Sequence, residues 1–519
     1  MDYRALMTME KVLVQMEKDG VDSRMLDLGA DCMCKLLVAS LPDPPVYPDA
    51  VLSANDDDDL SGAGAEDRIG ALPDDLLGGV VSRLPIKDAV RTAALSSRWR
   101  RIWLSAPLVL VDGHLLPPGE EAGQLALDAS GAVAAAVSRV LEAHPGPFRY
   151  VELTSTAMGA RARRGDLARW LHLLAVKGVR ELVFVNRRRP LDVALPGHGF
   201  PDTAALPRGA GFPHLRELGL YCVAMEDRDL DFVLANSPVL ECLGIYYSQR
   251  QIVLLRLASH SLRCVQICMC IAEDIAVVDA PRLERLLIWE MFEDDNHATR
   301  LSIGHAPNLQ LLGYLRPGIH VLENGNTIIK VHAPALLIQF RSTIAGTKAS
   351  PRTIIPSINV LALKVRFEVR NEAKLLPSFL RCFPNVEKLH VKSEKSDEPV
   401  GRLNLKFWQE AGRIECLQSC IKYVVFHGYR GDRSELTFLK YILGSGQVLQ
   451  EMVIVVANGM FSTQDEVGEK LVKPLSSVKM ASGDCNITVV EGTVHDEEDS
   501  CCLRDAFDFS IDDPFDRYL

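Results

Sequence analysis

No catalytic signature stands out in this chain of 519 residues. It has no P-loop, no G-x-S-x-G elbow, no H-E-x-x-H, and no paired carboxylates in a strand or helix context that would hold them. Among its 13 histidines, His320, His332, His390 and His427 would each need a partner that sequence does not supply. No apolar run reaches the roughly 18 residues that span a bilayer, and the opening MDYRALMTMEKVLVQMEKDG lacks a secretory apolar region. That opening reads instead as a short amphipathic helix with Leu6, Met9, Leu13 and Met16 along one side. A basic excess is missing too: the net charge is −11, which argues against a general nucleic-acid surface. Zinc spacing is lacking, because neither Cys32-x-Cys34 nor Cys264-x3-Cys268-x-Cys270 has a second pair or a following histidine. The 13 cysteines are an odd count, and most stand where a leucine or valine would fit. They read as reduced, buried thiols of a cytoplasmic or nuclear chain. No cofactor and no metal is expected, and no membrane or nucleic-acid partner.

What is present concentrates in residues 68–104, RIGALPDDLLGGVVSRLPIKDAVRTAALSSRWRRIWL. Ile69, Leu72, Leu76, Leu77, Val80, Val81 and Leu84 recur mostly at steps of three and four, which lays an apolar stripe along a helix. Pro73 suits a first helical turn, Asp74 and Asp75 favour its positive end, and Leu84-Pro85 closes it. A second helix is predicted from Asp88 to Leu95, and Ser96 is a natural N-cap for a third that carries Trp99 and Trp103. Three short helices cannot enclose this much apolar surface, so the module is expected to dock on something else.

The segment resembles the F-box of plant proteins. The matching stretches are Asp67 to Leu77, Leu84 to Thr92, and Leu95 to Trp103. Arg83 stands where a large apolar residue is common and Ser97 where Lys or Arg is common, and neither breaks the stripe. The resemblance implies docking onto the Skp-family adaptor of a cullin-containing SCF ubiquitin ligase. Candidate adaptor-binding residues are Leu72, Pro73, Leu76, Leu77, Val80, Leu84, Pro85, Leu95, Trp99 and Trp103. An ordinary helical corner with core leucines is the alternative, but periodicity alone does not supply the two tryptophans and the Leu-Pro punctuation.

Behind this module the chain repeats. FPHLRELGL from Phe212, SPVLECLGI from Ser237 and APRLERLLI from Ala280 share one phrase, with weaker copies from Ser259, Ala306, Ala333, Ile355 and Phe383 and a poorer one from Val179. The aligned positions Leu215, Leu240, Leu262, Leu283, Leu309, Leu336, Ile358 and Val386 lie 21 to 28 residues apart, in the leucine-rich-repeat range. Each unit would contribute one short strand whose face only its neighbours can bury, so the units stack into a solenoid. A plain β-rich domain with coincidental Leu-x-Leu pairs is the alternative. If Leu218 and Leu220 point inward, then Glu217, Gly219 and Tyr221 face the concave side. The aligned line Tyr221, Tyr246, Cys268, Trp289 and Leu315 would then present a target-binding surface. Against this stand a downstream segment folding back over the line, and a register off by one.

Phe407-Trp408, Glu415 to Leu417, Ile421 to Val424, Phe426 to Tyr429, Glu435-Leu436, Tyr441 to Leu443 and Val448-Leu449 form a third block. It resembles the FBD region that follows F-box and leucine-rich repeats in many plant proteins. The residues themselves predict a strand at Tyr423 to Phe426, a helix over Glu435 to Leu443 ended by Gly444 or Gly446, and a strand at Met452 to Val456. That is one further solenoid unit, and capping the array is its simplest role. Arginines at 161, 163, 164 and 187–189 read as solvated loop residues, with a contact to the acidic C-terminal tail as the alternative.

The expected organisation is therefore α/β. An N-terminal extension, 1–66, is partly disordered with an acidic run at Asp56 to Asp59. A three-helix F-box, 67–107, and an irregular leucine-rich-repeat solenoid of short parallel strands, helices and loops, 108–395, follow it. An FBD-like strand-helix-strand region, 396–460, caps the array, and a C-terminal region with an acidic tail, 461–519, ends the chain. The resemblance implies a non-catalytic substrate-recognition subunit of an SCF ligase. The alternatives are an adaptor-binding scaffold without a degradation target and a hormone-like co-receptor. The second needs a basic pocket floor that residues 212–315 do not concentrate.

Overall fold

The computed structural model describes residues 41, 44–46, 69–116, 127–156, 164–185, 211–223, 227–246, 252–270, 272–289, 291, 299–317, 320–324, 327–329, 354–396, 401, 403–461, 464–492 and 505–516. The N-terminal helix, Cys32, Cys34, Asp67, Arg68, the arginines at 161, 163 and 187–189, the repeat copy at Leu336 and His332 lie outside the described residues. The chain divides into two compact units, one built mainly from residues 5–225 with 232–241, the other from 242–519 with 226–231.

The first unit opens with α1 (Asp74–Val81), α2 (Ile86–Thr92) and α3 (Ser97–Ser105). Pro73 sits at the N-cap, one position before the first helical residue. The second helix begins two residues earlier than its spacing predicts, directly behind Pro85, because proline pre-sets the φ that a helix entry needs. Ser96 caps α3 by accepting from the Trp99 N–H, as its residue type predicts. Strands β1 (Leu108–Val111), β2 (Phe148–Leu153), β3 (Glu181–Val185) and β4 (Glu217–Tyr221) then line up as parallel neighbours. Helices Leu127–Ala143 and Arg164–Val176 make the crossovers between β1 and β2 and between β2 and β3. Between them Trp170 is fully buried and donates its indole N–H to Ser138 Oγ at 2.9 Å. Asp112, also buried, closes the turn after β2 by accepting the N–H groups of Thr154 and Ser155 at 2.9 and 2.8 Å.

The second unit continues the same grammar. Strands β5 (Cys242–Tyr246), β7 (Cys264–Cys268), β9 (Arg285–Ile288), β11 (Leu311–Leu315), β14 (Val360–Val365), β15 (Lys388–Ser393), β16 (Tyr423–Tyr429), β17 (Glu451–Val456) and β18 (Asn486–Glu491) form one all-parallel ladder. The register places Val265, Leu286, Leu312, Leu361, Leu389, Val424 and Met452 in one row, and every member is buried. The anchor residues Leu215, Leu240, Leu262, Leu283, Leu309, Ile358 and Val386 are all fully buried. The period read from sequence is thus the period of the core.

The connections depart from a plain strand-and-helix repeat. From residue 252 to 329 the chain returns through strands: β6 (Ile252–Ala258), β8 (Ala272–Asp279), β10 (Thr299–His305), β12 (His320–Asn324) and β13 (Thr327–Ile329) make a second sheet, ordered β13-β12-β10-β8-β6. Its pairs are parallel except β12 with β13. Alternating apolar positions (Leu255, Leu257, Ile275, Val277, Leu301 and Ile303) are buried, the period-two pattern that makes these returns strands. Past residue 354 the connections become helical again.

In the FBD-like block, β16 and β17 flank a helix at Arg433–Ser445 whose C-cap is Gly446. A capping box fixes its start: Asp432 accepts from Ser434, while Glu435 accepts the Arg430 and Asp432 N–H groups at 3.0 Å and the Ser393 hydroxyl at 2.5 Å. Burial pushes the Glu435 carboxyl up against those stabilising donors. Trp408 is buried between Phe438 and Tyr441, with ring centroids 5.1 and 5.7 Å away. The block does not end the ladder, however. β18 pairs beyond β17, so the terminal strand lies in the C-terminal region, outside the strand-helix-strand block expected to cap the array.

Candidate adaptor-docking surface

The three N-terminal helices divide their apolar residues into two sets. In α1, Leu77 and Val81 are buried, as are Ile86 and Ala89 in α2 and Ile102 and Trp103 in α3. These hold the module together, with α1 and α2 each packed on α3. The Arg98 guanidinium adds a polar clamp. It donates to Asp74 Oδ1 at 2.7 Å and to the carbonyls of Gly70 and Leu72, tying the entry of α1 to the start of α3. Trp103 meets His144 edge-on at 5.0 Å, and the His144 Nε2 lies 2.9 Å from the Trp103 carbonyl. Burial lowers the His144 pKa, only partly offset by that carbonyl, so the ring serves as a neutral joint between the helices and the strand behind them.

The second set faces solvent. Ile69 is 60% exposed, Leu76 57%, Val80 43% and Leu95 67%. Val90 and Leu104 are exposed too, so six of the thirteen large exposed apolar side chains among the described residues fall between positions 69 and 104. Burying such side chains against a partner is favourable by about 1.5–3 kcal/mol each when complete.

The ten candidate adaptor residues therefore separate. Pro73, Leu76, Val80 and Leu95 are exposed. Leu72, Leu84, Pro85 and Trp99 are half-buried. Leu77 and Trp103 are buried, a correction that follows from geometry: a stripe more than 100° wide on a short helix must spend one edge on its own module. Ile69, Val90 and Leu104, outside the ten candidates, are exposed as well, although only Ile69 stands in the apolar stripe itself.

The proposed target line needs a larger correction, because Tyr221, Tyr246, Cys268, Trp289 and Leu315 are all buried. The Tyr221 and Tyr246 rings fold over Gly219 and Gly244, two residues back on the same face. A Cβ at Gly244 would sit 2.3 Å from the Tyr246 ring. Leu315 leaves the outward row through a register shift in β11: Leu312 pairs with Leu361 and Leu315 with Leu363. Tyr314 takes the outward place instead, 5.9 Å from Trp289. Trp289 donates to Gln266 Oε1 at 2.9 Å and is covered by Phe515, 5.4 Å away. The downstream segment does fold back. Cys268 is buried in the same row, and the thiols of Cys264 and Cys270 lie within hydrogen-bond reach of the Ala506 and Cys268 carbonyls, respectively.

These features agree with comparisons to known proteins. Residues 69–110 match the F-box domain family, residues 167–391 match the LRR repeats of FBD-associated F-box protein At5g56370, and residues 409–454 match the FBD family. The chain thus carries an F-box, leucine-rich repeats and an FBD region in that order, the combination found in FBD-associated F-box proteins. Similar proteins include FBD-associated F-box protein At5g60610 of Arabidopsis thaliana, 25% identical over 74% of this chain and 98% of its own length. F-box/FBD/LRR-repeat protein At1g13570 from the same plant is 21% identical over 75% and 91%. Putative F-box protein At1g21990 is 29% identical over 76% and 91%. The F-box match ends on β1, so the last element of the F-box segment is also the first strand of the repeat sheet. Among the described residues no helix is long and apolar enough to cross a membrane, and no cluster of three metal-type ligands forms.

Proposed function

We propose that this F-box protein is the substrate-recognition subunit of an SCF-type cullin ubiquitin ligase, with the face of α1 and its neighbours docking on the Skp-family adaptor. The observation that carries the reading is the exposed set Ile69, Leu76, Val80 and Leu95, joined by Val90 and Leu104, in a module whose helices are held together by the buried Leu77, Val81, Ile86, Ala89, Ile102 and Trp103. Binding to the adaptor through this face would place the repeat units beside the ligase's catalytic end, where they contribute proximity rather than bond-making. Leu72, Pro73, Leu84, Pro85 and Trp99 would border the contact, and the solenoid would hold the target protein.

Mixing the purified chain with a Skp-family adaptor and a cullin tests this reading. A ternary complex should co-elute on size exclusion, and Leu76→Asp with Val80→Asp should abolish it while the melting transition is kept. A wild-type chain that elutes alone contradicts the reading.

A further inference from the structure

Residues 505–516, DAFDFSIDDPFD, lie across the outward face of β7, β9, β11 and β15. The backbone bonds they make are local turns: Asp508 to Asp505, Ile511 to Asp508 and Asp516 to Asp513. To the ladder they are held by side chains. The Arg285 guanidinium donates to the carbonyls of Ala506 at 2.9 Å, Asp508 at 3.0 Å and Ile511. Arg263 lies 3.6 Å from the centre of the Phe509 ring, the geometry of a cation–π contact. Asp513 is buried with Oδ2 3.0 Å from His390 Nε2 and 3.4 Å from Lys388 Nζ, and Asp516 lies 3.4 Å from the same ammonium. Phe515 is fully buried among Trp289, Tyr314 and His390, with centroids 4.9 to 5.5 Å away. One aromatic anchor in a closed pocket, flanked by paired carboxylates and a guanidinium gripping main-chain carbonyls, is the pattern of a bound peptide.

We propose that this face is a peptide-recognition groove for segments carrying a phenylalanine flanked by carboxylates, and that residues 505–516 are its tethered occupant, displaced when a target segment binds. The proposal rests on the reading of the repeats as a target-holding surface and names the chemistry of what they hold. It also accounts for the burial of Trp289, which belongs to the groove floor.

Mass action gives the size of the effect. A tethered segment acts at an effective concentration on the order of 1 mM. For a free peptide of about 10 μM affinity, the tether therefore raises the apparent dissociation constant about a hundredfold. The test uses a fluorescein-labelled peptide of residues 505–519 as probe. Fluorescence anisotropy is read with the full chain, with a chain ending at Arg504, and with the full chain carrying Phe515→Ala. Saturable binding to the shortened chain, about a hundredfold weaker binding to the full chain, intermediate binding to Phe515→Ala, and loss when the peptide itself carries Phe515→Ala are expected. The proposal is overturned if a shortened chain that keeps its melting transition does not bind the probe, or if it binds no better than the full chain. Unfolding of both the shortened chain and Phe515→Ala also overturns it, because the segment is then core. Adaptor capture is measured on the same samples: its persistence without probe binding rejects the groove alone, and its loss from the intact chain rejects the ligase reading.

Discussion

Leu76 and Leu77 are adjacent in sequence and opposite in consequence. Leu76 is 57% exposed and Val80, one turn later, 43%, whereas Leu77 has no exposed surface. Replacing Leu76 and Val80 together by Ala removes little from the folded chain, within about 0.5 kcal/mol per site. In a complex the same pair would lose the roughly half of their side-chain burial that only a partner supplies. At about 1.5–3 kcal/mol for complete burial, that is roughly 1.5–3 kcal/mol for the pair, or about a 10- to 150-fold weaker dissociation constant. Leu77→Ala instead opens a cavity inside the module and should cost about 2–5 kcal/mol of stability. Titration calorimetry against a Skp-family adaptor, with a thermal melt of each variant, separates the two. The reasoning fails if Leu76→Ala/Val80→Ala binds like wild type, or if Leu77→Ala binds more weakly while melting normally.

Three further outcomes follow from the packing. Trp289→Ala should lower stability by about 3–5 kcal/mol and make residues 505–516 the first site of limited proteolysis, since the indole is buried against Phe515; a variant that melts and digests like wild type contradicts this. Burial, reinforced by Glu181 and Glu241, raises the Glu217 carboxyl to about 7, so the fold loses stability as pH rises from about 4.5 to about 7 while the unfolded chain ionises freely. Glu217→Gln should therefore be more stable than wild type at pH 8, by up to about 3 kcal/mol, with the gap closed near pH 4. Asp432→Ala removes the N-cap of helix Arg433–Ser445 and should cost about 1 kcal/mol in denaturant unfolding, with adaptor affinity unchanged.

Periodic features were legible in the sequence because each rests on a repeated local rule. The Leu215-to-Val386 series marks positions every solenoid unit must bury, and burial at all the described ones shows how strict that rule is. Ser96 and Gly446 are end signals whose chemistry acts within four residues, and the Asp432–Glu435 capping box is a local signal of the same kind that the sequence reading did not use. The outward face was not legible, since it depends on events far away in sequence. Whether Trp289 is exposed is decided by Phe515, more than two hundred residues later. Leu315 and Tyr314 exchange places through a one-residue shift that no hydropathy pattern announces. One signal could have exposed the fold-back: Phe507, Phe509 and Phe515 interrupt the acidic tail at a density that a solvated tail does not need. The strand returns at 252–329 were within reach too, as Val253, Leu255 and Leu257 alternate with period two.

Protein turnover gives the most direct test of the substrate-receptor reading. The intact chain and Leu76→Asp/Val80→Asp would each be expressed in plant cells and affinity-purified with the proteasome blocked and unblocked, alongside a proteome-wide half-life measurement. The account predicts at least one protein that both forms capture, that gathers on the intact chain only when the proteasome is blocked, and whose half-life lengthens when the variant replaces wild type. Capture of the adaptor with no protein changing its half-life would contradict it, leaving a docking scaffold without a degradation target.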